Sequence, residues 1–201
     1  SSAASDVYKR QRGACSGGYS FIMTGCPATN MLVSTYMKDL MKKTKPSHAY
    51  EAIKRNHAPG GMMSYESADD LKFYVKKGYC PGNAGKTLEW AFQDWGLSRM
   101  ALRMGKKSDA ALYEKRSRAW TPLFNKNIGL ILPKKENGEW LHTDPLNGQG
   151  WVEANAWQAT WSVSHDLPKL VELMGGGDAF CEKLNYAFEQ ARPTDFVHAY
   201  S

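Results

Sequence analysis

Proline and glycine cut the first half of this 201-residue chain into helix-length pieces, and that spacing restricts its fold more than any other feature. Pro46, the run Pro59-Gly60-Gly61, Gly78 with Pro81, and Gly105 each end a stretch whose apolar residues recur every three or four positions. The first stretch predicts a helix capped by Thr29 or Asn30 that continues through the Lys-rich segment and stops before Pro46. Ser47 is the expected cap of a second helix over 48–58, and Ser67 with Asp70 forms a capping pattern for a third over 68–78. The longest helical signal covers 85–104, where Leu88, Phe92, Trp95 and Met100 share roughly helical spacing. Asp109 is expected to open another helix whose last turn holds Pro122. Short amphipathic helices joined by tight turns bury their apolar stripes against one another, so the expected architecture is an array of α/α hairpins. The repetition is architectural, without a sequence period.

Farther on, 130–132 and 140–142 flank the turn residues E-N-G-E and predict one small β-hairpin near residues 129–142. Asp144 before Pro145 reads as a turn residue. Asp166 is the expected cap of a helix with Pro168 in its first turn, and Asp178 the cap of the last helix, ending near Pro193. The fold class is therefore mainly α, with paired helices. No composition break divides 12–201, which reads as one domain; the segment SSAASDVYKRQ at 1–11 does not join the pattern and reads as a non-native junction.

Bulk properties exclude several classes. A 42% hydrophobic, 23% charged composition is that of a globular chain and excludes disorder. The net charge of +6 raises nucleic acid as a partner, but the basic residues are scattered into short clusters, Lys42-Lys43-Lys45 and Lys115-Arg116-Arg118, without any nucleic-acid signature. They read as solvated helix faces, and no nucleic-acid partner is expected. No apolar run is long enough to span a membrane. Cys15, Cys26, Cys80 and Cys181 have neither C-x-x-C spacing nor paired histidines, so no metal site is expected from them, and their disulfide state stays open.

Chemistry concentrates in W-V-E-A-N-A-W-Q-A-T-W, from Trp151. Read as a helix beginning near Val152, it stacks Glu153, Trp157 and Trp161 on one face, with the amides of Asn155 and Gln158 close by. A carboxyl group among indole faces loses hydration, which disfavours its charged form. The same indoles offer flat apolar surfaces to sugar rings. The competing reading is a core helix whose glutamate caps a neighbouring element.

This stretch, with the following H-D-L-P-K-L-V-E-L-M-G-G, resembles the E-G-N-A-W-Q…W…H-D…L-M-G-G signature of glycoside hydrolase family 92, the calcium-dependent α-mannosidases. Other blocks match in family order: G-C-P-A-T-N-M-L-V from Gly25, A-Y-E-A-I-K-R-N from Ala49, G-Y-C-P from Gly78 and T-L-E-W-A-F-Q-D-W from Thr87. M-G-K, L-F-N, G-E-W and T-D-P follow from Met104, Leu123, Gly138 and Thr143. The resemblance implies part of an (α/α)6 toroid, truncated at both ends, whose partners are the remainder of its own catalytic domain and an N-terminal β-sandwich. It implies hydrolysis of terminal α-linked mannose from glycans with inversion, calcium bound at the sugar, and a secreted or periplasmic location.

By the resemblance Glu153 is the general acid, with Ala154 standing where the motif has glycine; the extra methyl either crowds a close-packed sugar or fits. Trp157, Asn155, Gln158, Glu89 and Asp94 are the expected substrate-binding residues, with Glu89 and Asp94 reading equally as pocket-wall or as structural residues. The base-bearing aspartate block, the H-G-N-E-P block and the W-D-T-F-R block are absent from this sequence, and no D-x-D-x-D-G loop supplies a calcium site. Ser34-Thr35-Tyr36 stands where the family often has D-A-Y. The isolated chain is accordingly expected to be inactive. A non-catalytic helical module that binds glycan or protein is the alternative.

Overall fold

The computed structural model describes residues 14–15, 18–19, 25–63 and 67–191, so the junction expected at 1–11 lies outside it. The described chain is mainly helical, as its punctuation predicts. Two short strands, β1 (Ala14–Cys15) and β2 (Gly18–Tyr19), pair antiparallel ahead of the helices. Helices α1 (Ala28–Met37), α2 (Pro46–Asn56), α3 (Ala68–Lys77), α4 (Ala84–Arg103) and α5 (Lys107–Arg116) follow. Strands β3 (Phe124–Asn125) and β4 (Leu130–Ile131) come next, then the single turn α6 (Ala156–Ala159), and finally α7 (Leu167–Met174) and α8 (Gly177–Gln190). None of the described helices is long and apolar enough to cross a membrane.

The chain forms two compact units, and both α3 and α4 contribute residues to each. The first comprises the described residues of Ser1–Lys72 together with Gln93–Ser117. Its core is built from Val33 of α1, Ala49, Tyr50 and Ile53 of α2, Leu97 and Met100 of α4, and Tyr113 of α5. Helix α1 stops earlier than its sequence suggests. Asp39 takes a left-handed φ of 57°, and Arg103 donates to the Tyr36 and Met37 carbonyls at 3.1 and 2.7 Å, satisfying the helix end. The Lys-rich stretch after it is therefore not helical. Ser47 does not cap α2 either, because Pro46 occupies its first turn and Lys45 sits at the cap. Ser67 behaves as expected, its hydroxyl accepting from the Asp70 N–H at 3.2 Å.

Asp109 lies within the first turn of α5 instead of capping it. Its carboxylate accepts from Lys54 at 2.8 Å and from the Tyr50 hydroxyl at 2.6 Å. The Lys54 hydrogen bond, then that of Tyr50, holds the Asp109 carboxyl below the usual carboxylate range, while burial and then Asp109 itself push the Tyr50 phenol up. A depressed carboxyl stabilises the fold above its unfolded pKa, and that stability disappears as pH falls through the lower folded value. Asp109→Asn should therefore flatten the acid limb of a stability profile below about pH 4, measured by urea unfolding across pH. An unchanged acid limb would contradict the assignment.

The second unit comprises Phe73–Phe92 and the described residues from Arg118 onward. Trp90, Trp120, Leu123, Leu130, Ile131 and Leu170 are fully buried within it. The hairpin expected near 129–142 exists, with 133–134 in place of 130–132 opposite 140–141, and a second short antiparallel pair precedes it. Phe124 pairs with Ile131 and Asn125 with Leu130, while the E-N-G-E turn brings 133–135 against 139–141 through the Lys134–Trp140 bridge, the Lys135 N–H to the Glu139 carbonyl at 2.7 Å and the Leu141 N–H to the Pro133 carbonyl at 2.9 Å. Asn125 closes the turn of the first pair, its side chain accepting from the N–H groups of Asn127 and Ile128. Asp144 is a turn residue as read, accepting from the Leu146 N–H at 2.9 Å. Gly175, at φ 103°, ends α7, and Gly176 N–H returns to the Val171 carbonyl at 2.9 Å. Asp166 occupies the N-cap position of α7 without making the cap hydrogen bond, and Gly176, not Asp178, precedes α8.

Candidate active site around Glu153

The stretch from Trp151 is not one helix. Gly150, at φ 87°, leaves helical space, and its carbonyl accepts from the Ala84 and Gly85 N–H groups at 2.9 and 3.3 Å. The chain before Glu153 thus satisfies donors that the start of α4 would otherwise leave open. Trp151 packs inward at 9% exposure, and its Cα lies 3.7 Å from where a Cβ on Gly85 would stand. Helix α6 begins only at Ala156, after the Asn155 cap. Glu153, Trp157 and Trp161 consequently do not share one helical face.

Glu153 instead stands in the bridge between Gly150 and Asn155, exposed, at a left-handed φ of 53°. Among the described residues only Asp39 and Glu153 adopt positive φ without being glycine. Such a backbone costs a glutamate on the order of 1–2 kcal/mol and persists only where flanking structure imposes it. Ala154 has no such strain, so the methyl that departs from the family motif is accommodated by the backbone. The strained residue is the carboxylate bearer itself. Glu153→Asn, which suits the left-handed region, should raise the urea midpoint by up to about 1 kcal/mol of stability; a lowered midpoint would contradict this geometry.

Asn155 and Gln158 form a reciprocal capping box. The Asn155 side-chain oxygen accepts from the Gln158 N–H at 3.2 Å, and the Gln158 side-chain oxygen accepts from the Asn155 N–H at 3.0 Å. Asn155 is 2% exposed. Both amide oxygens thus serve the backbone where the sequence suggests sugar contacts. Thr160 then fastens the turn to β4, accepting from the Ile131 N–H at 3.0 Å.

Trp157 packs against α8, its ring 5.7 Å from Tyr186 and 5.1 Å from the Lys183 ammonium. Trp161 meets Phe180 edge to face at 5.6 Å. Lys183 also donates to the Ile128 carbonyl at 2.6 Å, and burial lowers its pKa. A cavity of about 410 Å³ lies there, lined by the 126–129 turn, Lys183 and Tyr186; Glu153 is not part of its wall. Glu89 is half-buried on α4, one turn after Gly85 on the same face.

Asp94 belongs to the other unit and has a different setting from the one its motif suggests. Its side chain is fully buried, with one oxygen 2.8 Å from His57 Nδ1 and the other 2.8 Å from Arg116 Nε. His57 Nε2 lies 2.9 Å from the Thr29 hydroxyl. Arg116 is thus an interior cation, against its reading as part of a solvated cluster. Sequence reasoning missed this network because His57 and Thr29 occur alone; only their meeting with Asp94 and Arg116 gives them meaning.

The model of the glycosyl hydrolase family 92 catalytic domain matches residues 4–200. The chain belongs to family 92. It is similar to the family GH92 inverting mannosidase BT2199 of Bacteroides thetaiotaomicron, with a TM-score of 0.77 at 27% identity, covering 90% of this chain and 28% of that one. It is equally similar to the family GH92 α-mannosidase BT3965 of the same organism, with a TM-score of 0.77, 25% identity and coverage of 92% and 24%. An uncharacterized secreted glycosidase of Arthroderma benhamiae is 25% identical over 228 residues, 90% of this chain and 29% of that protein. The chain therefore spans less than a third of the length of each of these relatives. The likeness agrees with the helical fold described above and makes this a glycosidase-domain sequence.

Proposed function

We propose that this chain forms part of an α-mannosidase that removes terminal α-linked mannose from glycans with inversion, Glu153 serving as general acid. The observation that carries this reading is Glu153 itself. It is the glutamate of the family motif, and it is exposed on a left-handed backbone that the chain imposes at a cost in stability. Inversion needs a second carboxylate, roughly 6.5–9.5 Å from the acid, to activate water on the opposite face of the sugar. That base is proposed to lie outside the described residues, in a toroid completed by further chain and flanked by an N-terminal β-sandwich. The 201 residues by themselves are expected to show no turnover of an α-mannoside.

Glu89, half-buried and on the Gly85 face of α4, supports a role in hydrogen bonding sugar hydroxyls. Trp157, partly exposed and held by Tyr186 and Lys183, is proposed to line the same pocket. Among the described residues no group of three or more His, Cys, Asp and Glu gathers to hold a metal. The calcium implied by the resemblance does not fit these residues, its ligands are proposed to lie outside them, and no step is assigned to it. The secreted glycosidase among the relatives supports a secreted or periplasmic setting.

Hydrolysis of methyl α-mannoside by the full-length protein, followed by proton NMR so that the only mannose released comes from the attacked C1, tests the reading. The account expects β-mannose as the first anomer released, because attack opposite the leaving group inverts C1. First appearance of the α-anomer would overturn the inverting assignment.

A further inference from the structure

Glu153 sits in a four-residue bridge, 151–154, whose ends are fastened by different elements. Before it, the Gly150 carbonyl is held by the Ala84 and Gly85 N–H groups and Trp151 is buried. After it, Asn155 and Gln158 exchange their two amide hydrogen bonds, and the Ala156 N–H donates to the Pro145 carbonyl at 3.1 Å. An unconstrained glutamate would relax to negative φ and swing its carboxyl group elsewhere. The two anchors therefore decide where that group points.

The capping box has little to do for the helix that follows. Helix α6 has four residues, too few to be stable by itself, and continues into a 3-10 turn over Thr160–Ser162. Two side-chain amides, one of them 2% exposed, are nevertheless committed to its first turn. What the box does fix is the direction in which the chain leaves Glu153. We infer that Asn155 and Gln158 are positioning residues for the Glu153 carboxyl group and not ligands of the sugar. The inference rests on Glu153 being the acid.

Leaving-group chemistry separates this role from a general structural one. Departure of a sugar alkoxide needs the proton that the acid delivers, whereas a dinitrophenolate leaves without it. A misplaced acid therefore slows α-mannobiose selectively, and a loosened fold slows both substrates alike. The experiment compares wild type, Asn155→Ala, Gln158→Ala, Asn155→Asp, Gln158→Glu and Glu153→Gln in the full-length protein, each at its own optimum pH. On α-mannobiose, Asn155→Ala and Gln158→Ala should lose on the order of 10²-fold in kcat, the scale of a misplaced catalytic group, with KM within about threefold of wild type. On dinitrophenyl α-mannoside they should lose less than about fivefold. Asn155→Asp and Gln158→Glu keep an acceptor oxygen in place and should recover most of the deficit. If Asn155→Ala does not fold, Asn155→Gly removes the oxygen at a cap cost of only a few tenths of a kcal/mol and is read by the same criteria.

A raised KM with kcat intact would make the two residues sugar ligands and overturn the inference. Equal losses on both substrates would reduce them to supports of the fold and overturn it too. Wild-type turnover of α-mannobiose by Glu153→Gln would instead remove the acid assignment, and the inference with it.

Discussion

Asp94→Ala is expected to destabilise the chain by about 3–5 kcal/mol, the cost of stranding a buried charge. Both Asp94 oxygens are committed inside the first unit, to His57 and to an Arg116 side chain that is only 11% exposed. Arg116 also donates to the His57 carbonyl at 3.3 Å, so the guanidinium cannot leave without breaking a second contact. Removing the carboxylate leaves that cation without its counter-charge and takes the Nδ1 partner from His57. Asp94→Asn should fall between wild type and alanine, because an amide keeps the volume but presents donors to donors. Urea unfolding with an unchanged m-value measures both. A loss below about 1 kcal/mol for alanine would mean that Asp94 is not paired as described and would return it to the list of sugar contacts.

Much of the helical framework was legible because its punctuation is local. Gly105 ends α4 and Ser67 caps α3, each a choice made by neighbouring residues. What was not legible depended on partners far away in sequence. Arg103 shortens α1 from sixty-odd residues downstream, and with the Gly150 carbonyl tied to the start of α4 and Glu153 left-handed, the helix expected from Val152 begins only at Ala156. The helical period of Glu153, Trp157 and Trp161 was real in the sequence but belongs to two different jobs. Glu153 lies on the bridge, while the two tryptophans pack on α8. The E-N-G-E hairpin was legible apart from its register, whereas the pair closed by the Asn125 turn was not, because periodicity does not reveal a side chain that caps its own turn. Glu153 was singled out through its motif, and its role as the acid is the proposal made above. Its desolvated setting among indoles was not borne out, because Glu153 is exposed.

Glu153→Gln carries the largest expected effect on activity. Glutamine has nearly the same shape and cannot donate a proton to the departing oxygen. General-acid assistance contributes about 10²–10⁴-fold, so turnover of α-mannobiose should fall by that factor in the full-length protein. Stability should stay within about 0.5 kcal/mol, the usual range for an exposed position, which separates lost chemistry from lost fold. The dinitrophenyl substrate should be spared, for the leaving-group reason given above.

The most direct measurement is the ratio of kcat for dinitrophenyl α-mannoside to kcat for α-mannobiose, determined for the wild type and for Glu153→Gln. With Glu153 as the acid, the substitution raises that ratio by about 10²-fold or more, because only the unactivated sugar needs the proton. A ratio unchanged by the substitution, with α-mannobiose still turned over at the wild-type rate, would contradict the account at its centre.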